Sequence, residues 1–134
     1  MLSQESYIEN LDLAYLEKRL MDRQGWTAKN AKEAVRRYKN FLILILRYPD
    51  RVLAPALDID EAWHSHILFT REYFRDCEIV FGGYLHHTPF QFSGQNSGEE
   101  EKKAMEKAQS LTSDLYIQEF NEPYFLELNI ASFW

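Results

Sequence analysis

Residues 27–48 constrain the fold more than any other stretch. Ala31, Ala34, Val35, Tyr38, Phe41, Leu42, Ile45 and Leu46 recur at three- and four-residue steps, the period of an α-helix with one apolar face. Toward its end the pattern broadens into an uninterrupted apolar run, Phe41 to Leu46. A helix that is apolar nearly all round must be covered on all sides. The stretch therefore predicts a central helix. The Thr27 hydroxyl caps its first turn, Trp26 packs on Ala31 as a staple, and Pro49 forces the chain out of helical geometry at the far end. Lys29, Lys32, Arg36, Arg37 and Lys39 are then its solvated face. The apolar run is much too short to span a membrane.

The flanking segments read as further helices. Residues 3–23 place Tyr7, Ile8, Leu11, Ala14, Tyr15, Leu20 and Met21 at helical spacing, with Ser3 as N-cap and Gly25 as stop. A connector over 49–57 carries Pro49 and Pro55. Asp58 then caps a third helix, with Glu61 completing a capping box, and that helix runs to Phe81 before Gly82-Gly83. A long loop covers 82–98. The acidic run Glu99 to Glu101 suits a helix N-terminus, and a fourth helix follows to about Phe120 with Ala104, Ala108, Leu111, Leu115, Tyr116 and Phe120 inward. Beyond Pro123 the tail is apolar, and Leu126, Leu128 and Ile130 alternate with less apolar neighbours. It is either tucked against the helices or free to insert into a partner. The expectation is one all-α domain over 1–134, a compact bundle of four to five helices with a loop near 82–98 and an apolar C-terminal tail.

Charge and cysteine content narrow the function. A net charge of -6 and a pI of about 5.2 argue against nucleic acid, whose phosphates need a basic face. The single Cys77 cannot form an intramolecular disulfide, which fits a reducing compartment and hence the cytoplasm. The N-terminus lacks a basic flank followed by an apolar segment, so no secretory signal or membrane anchor is expected. Secretion without a signal peptide is compatible with this composition.

Any chemistry belongs to Asp58–Pro89, which holds all four histidines and the cysteine. On a continuous helix, at about 100° per residue, Trp63, His66, Ile67, Thr70, Tyr73, Phe74, Cys77 and Phe81 share the core face. His64 lies roughly 200° from His66 and neighbours Asp60 one turn earlier. The pair His64/His66 therefore cannot chelate one ion from a regular helix, and the adjacent His86 and His87 diverge. A metal, zinc being the natural choice, needs one of His64/His66, one of His86/His87 and Asp60 or Cys77, with the loop folded back on the helix. The preferred expectation is no bound metal, with His66 and one loop histidine hydrogen-bonded inside the globule. Cys77, mid-helix on an aromatic face, should be inert. Asp60 and His64 read as a surface ion pair rather than a general base. No phosphate loop, paired carboxylates or nucleophile elbow is present, so no catalytic residue is assigned.

The string formed by Asp60, Trp63, His64, His66, Leu68, Thr70, Tyr73, Cys77, Phe81, Gly82, Leu85, His86, His87 and Pro89 resembles the signature of the glycine-rich domain-containing protein-like family. Ala34-Val35, Tyr38, Phe41-Leu42 and Tyr48-Pro49 are similar to that family's upstream helix. The resemblance implies a helical domain and no reaction. With only five glycines, the chain lacks the glycine-rich tail of the longer plant members. A separate acidic block, Glu99 to Glu106, looks like the export signals of some bacterial type IV secretion effectors, against the plainer reading as a helix start. The function expected is a small module that binds another protein, such as an enzyme, and modulates it, inhibition being one form of that. Tyr84, Phe90, Phe92, Tyr124, Phe125, Phe133 and Trp134 are its candidate contacts, and a homodimer is compatible. The alternatives are a metal-binding protein or metal-dependent enzyme using the histidines, and a secreted effector or effector regulator.

Overall fold

The computed structural model describes residues 3–88 and 97–126. It is all-helical over those residues, with α1 at Gln4–Glu9, α2 at Ala14–Gln24, α3 at Ala28–Arg47, α4 at Leu57–Leu68, α5 at Thr70–Phe81 and α6 at Ser97–Phe120. No helix among the described residues is long and apolar enough to cross a membrane. As its pattern demands, α3 is central: α1, α2, α4 and α6 all pack on it, α4 also meets α2 and α5, and α1 meets α5. Ala31, Ala34, Val35, Tyr38, Phe41, Leu42, Ile43 and Leu44 are buried along it. Thr27 caps it, its hydroxyl accepting from the Asn30 amide at 3.1 Å.

Among the described residues six helices form where four or five were expected, because two predicted helices are each broken. The first breaks over residues 10–13. The Asn10 side chain donates to the Ser6 carbonyl at 2.8 Å, and the Asp12 carboxylate accepts from the Ala14 amide at 3.1 Å. Both side chains offer the backbone an alternative to the helical ladder. Ala14, expected inward, is consequently exposed.

The second break falls at Phe69, which leaves helical geometry at φ -85°, ψ 73° and packs its ring edge-on against Tyr15, centroids 4.7 Å apart. No glycine or proline marks it. On a straight helix residues ten apart are separated by about 15 Å along the axis. Here two such pairs touch: Trp63 with Tyr73 at 2.9 Å, and His66 with Asp76 at 3.0 Å. The corner at Phe69 makes both contacts. It also resets the phase of α5, so Thr70 and Phe74, expected inward, are exposed, while Asp76 is buried.

Two further expectations are corrected by one interaction. Arg37 does not belong to the solvated face; it is fully buried. Asp58 is not the cap of α4, which starts after Ala56, and no capping box with Glu61 closes. Asp58 instead accepts from Arg37 Nε at 2.7 Å. The same guanidinium donates to the Pro123 carbonyl at 3.0 Å and to the Tyr124 carbonyl, and lies over the rings of Tyr116 and Tyr124. Burial acts against the Arg37 charge, but the Asp58 carboxylate outweighs it and its pKa is raised. The Tyr124 hydroxyl donates to the Ala54 carbonyl at 2.6 Å and accepts from the Ala56 amide at 2.9 Å. The start of the tail is thus tucked in.

Candidate functional site

Two His–Asp constellations occupy the Asp58–Thr88 region, one inside and one at the surface. The inner one joins four helices. His66 Nε2 lies 3.0 Å from Asp76 Oδ2, and His66 Nδ1 lies 2.7 Å from the Tyr38 hydroxyl. A carboxylate only accepts, so Nε2 carries the proton and Nδ1 accepts from Tyr38. Asp76 Oδ1 accepts from the Tyr7 hydroxyl at 2.7 Å and from Arg75 Nε at 3.1 Å. Burial pushes the Asp76 carboxyl up, but the bonds from His66, Tyr7 and Arg75 outweigh it and its pKa is lowered. Burial raises the Tyr38 hydroxyl well above the usual tyrosine range. Nearby Tyr15 is pushed up to about 12 by burial and by the charges of Asp76 and Glu72. With His66 only 2% exposed, this Tyr–His–Asp chain has no open side for a substrate. It knits the core.

The outer constellation sits where the segment after α5 returns to α4. His87 Nε2 is 2.5 Å from Asp60 Oδ1, and His64 Nε2 is 3.6 Å from the same oxygen. His87 is sandwiched: its ring stacks on Trp63 with centroids 4.1 Å apart and on His64 at 4.7 Å. Trp63 is held in turn, donating from Nε1 to the Tyr73 hydroxyl at 2.9 Å. That hydroxyl donates to the Leu85 carbonyl at 2.5 Å, pinning the backbone two residues before His87. The loop therefore does fold back on the helix. Of the histidines considered for a metal, His64 and His87 come together with Asp60, and their ligand atoms all lie within 4.8 Å of one another. His66 is in the inner chain, and His86 turns toward Tyr84, ring centroids 4.9 Å apart. Cys77 is buried, and burial raises its thiol pKa, which disfavours the thiolate a ligand or nucleophile needs.

The remaining candidate contacts separate. Tyr84 and Phe125 are exposed, at 43% and 45%. Tyr124 is fully buried, so it is not a surface contact; its hydroxyl serves the connector before α4. Pro89, Phe90, Phe92, Phe133 and Trp134 lie outside the described residues. A groove between α1, α2 and α3, of about 310 Å³, is lined by mixed charges including Glu9, Glu17, Lys32 and Arg36. Its Lys39 is engaged by the carbonyls of Glu9 and Leu11.

The residues missed by sequence reasoning are Arg37, Asp58, Asp76 and Tyr7. Arg37 left a trace: it lies three residues after Ala34 and four before Phe41, in phase with the buried stripe. Asp76 left none, because its position depends on the unmarked corner at Phe69.

Fold and site together define an all-helical domain whose histidine-rich corner is tied internally by hydrogen bonds and presents a second His–Asp cluster outward. The model of the UCP032817-like family matches residues 3–117, and the chain belongs to that family. A stretch of 60 residues is 40% identical to Glycine-rich domain-containing protein 1 of Arabidopsis thaliana. It covers 42% of this chain and 7% of that protein. The resemblance to the helical domain of glycine-rich domain-containing proteins therefore stands. No solved structure matches the chain.

Proposed function

We propose that this domain is a protein-binding module that docks a partner on the outer face of α4. The observation that carries this reading is a pair of stranded leucines. Leu57, Glu61, His64 and Leu68 fall within about 60° of arc on the helix. Leu57 and Leu68, at the two ends of that stripe, are each 61% exposed. Helix α2 runs antiparallel beside it, since Tyr15 meets Phe69 and Gln24 donates to Glu61 at 3.1 Å. Met21, 40% exposed, sits one turn before Gln24 and extends the stripe. Apolar anchors around a polar centre are the makings of an interface. Tyr84 remains a candidate for its rim. The match to a small fraction of a much longer relative also suits a unit that works as one part of larger proteins.

The test begins with a partner captured from native cells, then purified and titrated against the domain. The double variant Leu57→Asp/Leu68→Asp should weaken binding by at least about 10-fold with its helical signal intact, while Phe74→Asp on the exposed side of α5 should not. Undiminished affinity in the double variant would overturn this reading.

A further inference from the structure

We propose that Asp60, His64 and His87 form a binding site for a transition-metal dication of the zinc class. The donor chemistry, spacing, support and access of these three side chains are all set within this chain and need no docking partner.

Imidazole nitrogen and carboxylate oxygen are the donors zinc takes at about 2.0–2.2 Å. Asp60 and His64 lie one turn apart on α4 and project side by side. Neither residue alone, nor the pair, makes a site; the third donor arrives from the far side of α5, where the Tyr73–Leu85 hydrogen bond and the Trp63 stack hold His87 against them. In a tetrahedral site with such bond lengths, neighbouring donor atoms stand about 3.3 Å apart. The Asp60–His64 separation of 3.6 Å fits, and the half-exposed His64 ring has to turn out of its stack on His87, centroids 4.7 Å apart, for both imidazole planes to meet the ion. The Asp60–His87 separation of 2.5 Å must open by about 0.8 Å to reach that edge. An incoming ion would do this by replacing the direct hydrogen bond.

The site is also reachable. The His64 side chain is 50% exposed and that of Asp60 26%, while His87 is 11% exposed and braced from behind. Three donors from the chain leave a fourth position to solvent or to a side chain of a bound partner. The Asp60 carboxylate offsets part of the dication's charge, and the Glu61 carboxyl next to Asp60 on the chain adds a second acidic group.

The experiment is titration of the untagged full chain with zinc by calorimetry, and with cobalt(II) by visible absorption, at neutral pH. The expected result is one equivalent bound, with a cobalt spectrum of four-coordinate intensity. Because His64 is half-exposed, His64→Ala should keep the fold and lose at least about 100-fold in affinity, more than outer-sphere changes cost; His87→Ala should do the same. His86→Ala and Leu57→Asp/Leu68→Asp should bind zinc as the wild type does. The latter variant separates this site from the docking face, so either reading can fail alone. Absence of binding, or equal affinity in wild type and His64→Ala, or loss in His86→Ala, overturns the proposal.

Discussion

One short region holds two His–Asp pairs that look alike in sequence and differ in everything that matters physically. His66 and Asp76 are 3.0 Å apart with side chains 2% and 4% exposed. His87 and Asp60 are 2.5 Å apart with side chains 11% and 26% exposed, and a second histidine leans on the same oxygen. The inner pair has its hydrogen-bonding capacity filled by Tyr38, Tyr7 and Arg75. The outer pair faces water and keeps a free approach. Burial with full partnering turns a His–Asp pair into a rivet. Exposure leaves it available to a ligand.

The comparison can be broken most sharply at Asp76. Asp76→Ala leaves the buried His66 N–H and the half-buried Tyr7 hydroxyl without their shared acceptor and should cost about 2–4 kcal/mol in chemical denaturation, as two unsatisfied donors do. A loss below 1 kcal/mol would mean the inner pair is no rivet. Next comes Tyr73→Phe, which links the two regions. It leaves the Trp63 N–H and the Leu85 carbonyl unpaired and should cost about 1–3 kcal/mol. It should also loosen His87, seen as broadening of the His87 ring resonances with the His66 resonances unchanged.

The pH response sharpens the contrast. The Asp76 pKa is lowered in the folded chain below the ordinary aspartate value of 3.8. As pH falls through that value, the unfolded chain takes up the proton first, so stability is lost on the way down and complete above it. Asp76→Asn should flatten this acid limb when unfolding is followed from pH 5 to 2. The smallest expected effect belongs to the outer pair: His64→Ala, on a solvent-exposed contact, should change metal-free stability by less than about 1 kcal/mol. A larger loss would show that the outer cluster is structural after all.

The architecture was legible to the extent that periodicity governs it. The run from Ala31 to Leu46 announced a central helix, and Thr27, Gly25 and Gly82 closed their helices as their chemistry requires. The inward turn of His66 and the outward turn of His64 followed from helical geometry alone. What periodicity could not reveal was the corner at Phe69, which rests on a ring contact with Tyr15 and two long-range hydrogen bonds rather than on a local breaker. The consequence is confined to part of α5: Tyr73 and Cys77 are buried as expected, while Thr70 and Phe74 face outward and Asp76 inward. Arg37 is hidden from sequence for a related reason. A charge in phase with an apolar stripe looks like a solvated residue until its carboxylate and carbonyl partners are known.

The Arg37 clamp bears on how the chain acquires its structure. Its guanidinium can meet Asp58, 21 residues onward, early in synthesis. The carbonyls of Pro123 and Tyr124 lie 86 and 87 residues away and cannot be reached until nearly all of the described chain has left the ribosome. Until then a buried-type arginine waits with only part of its donors satisfied, and the groove that Tyr124 will fill stays open to solvent. Contacts of such long sequence separation form late, so the helical core should assemble in a looser form first and lock only when its last turn of chain arrives. A chain cut before Tyr124 would leave that groove open and the Ala54 carbonyl and Ala56 amide without their partner.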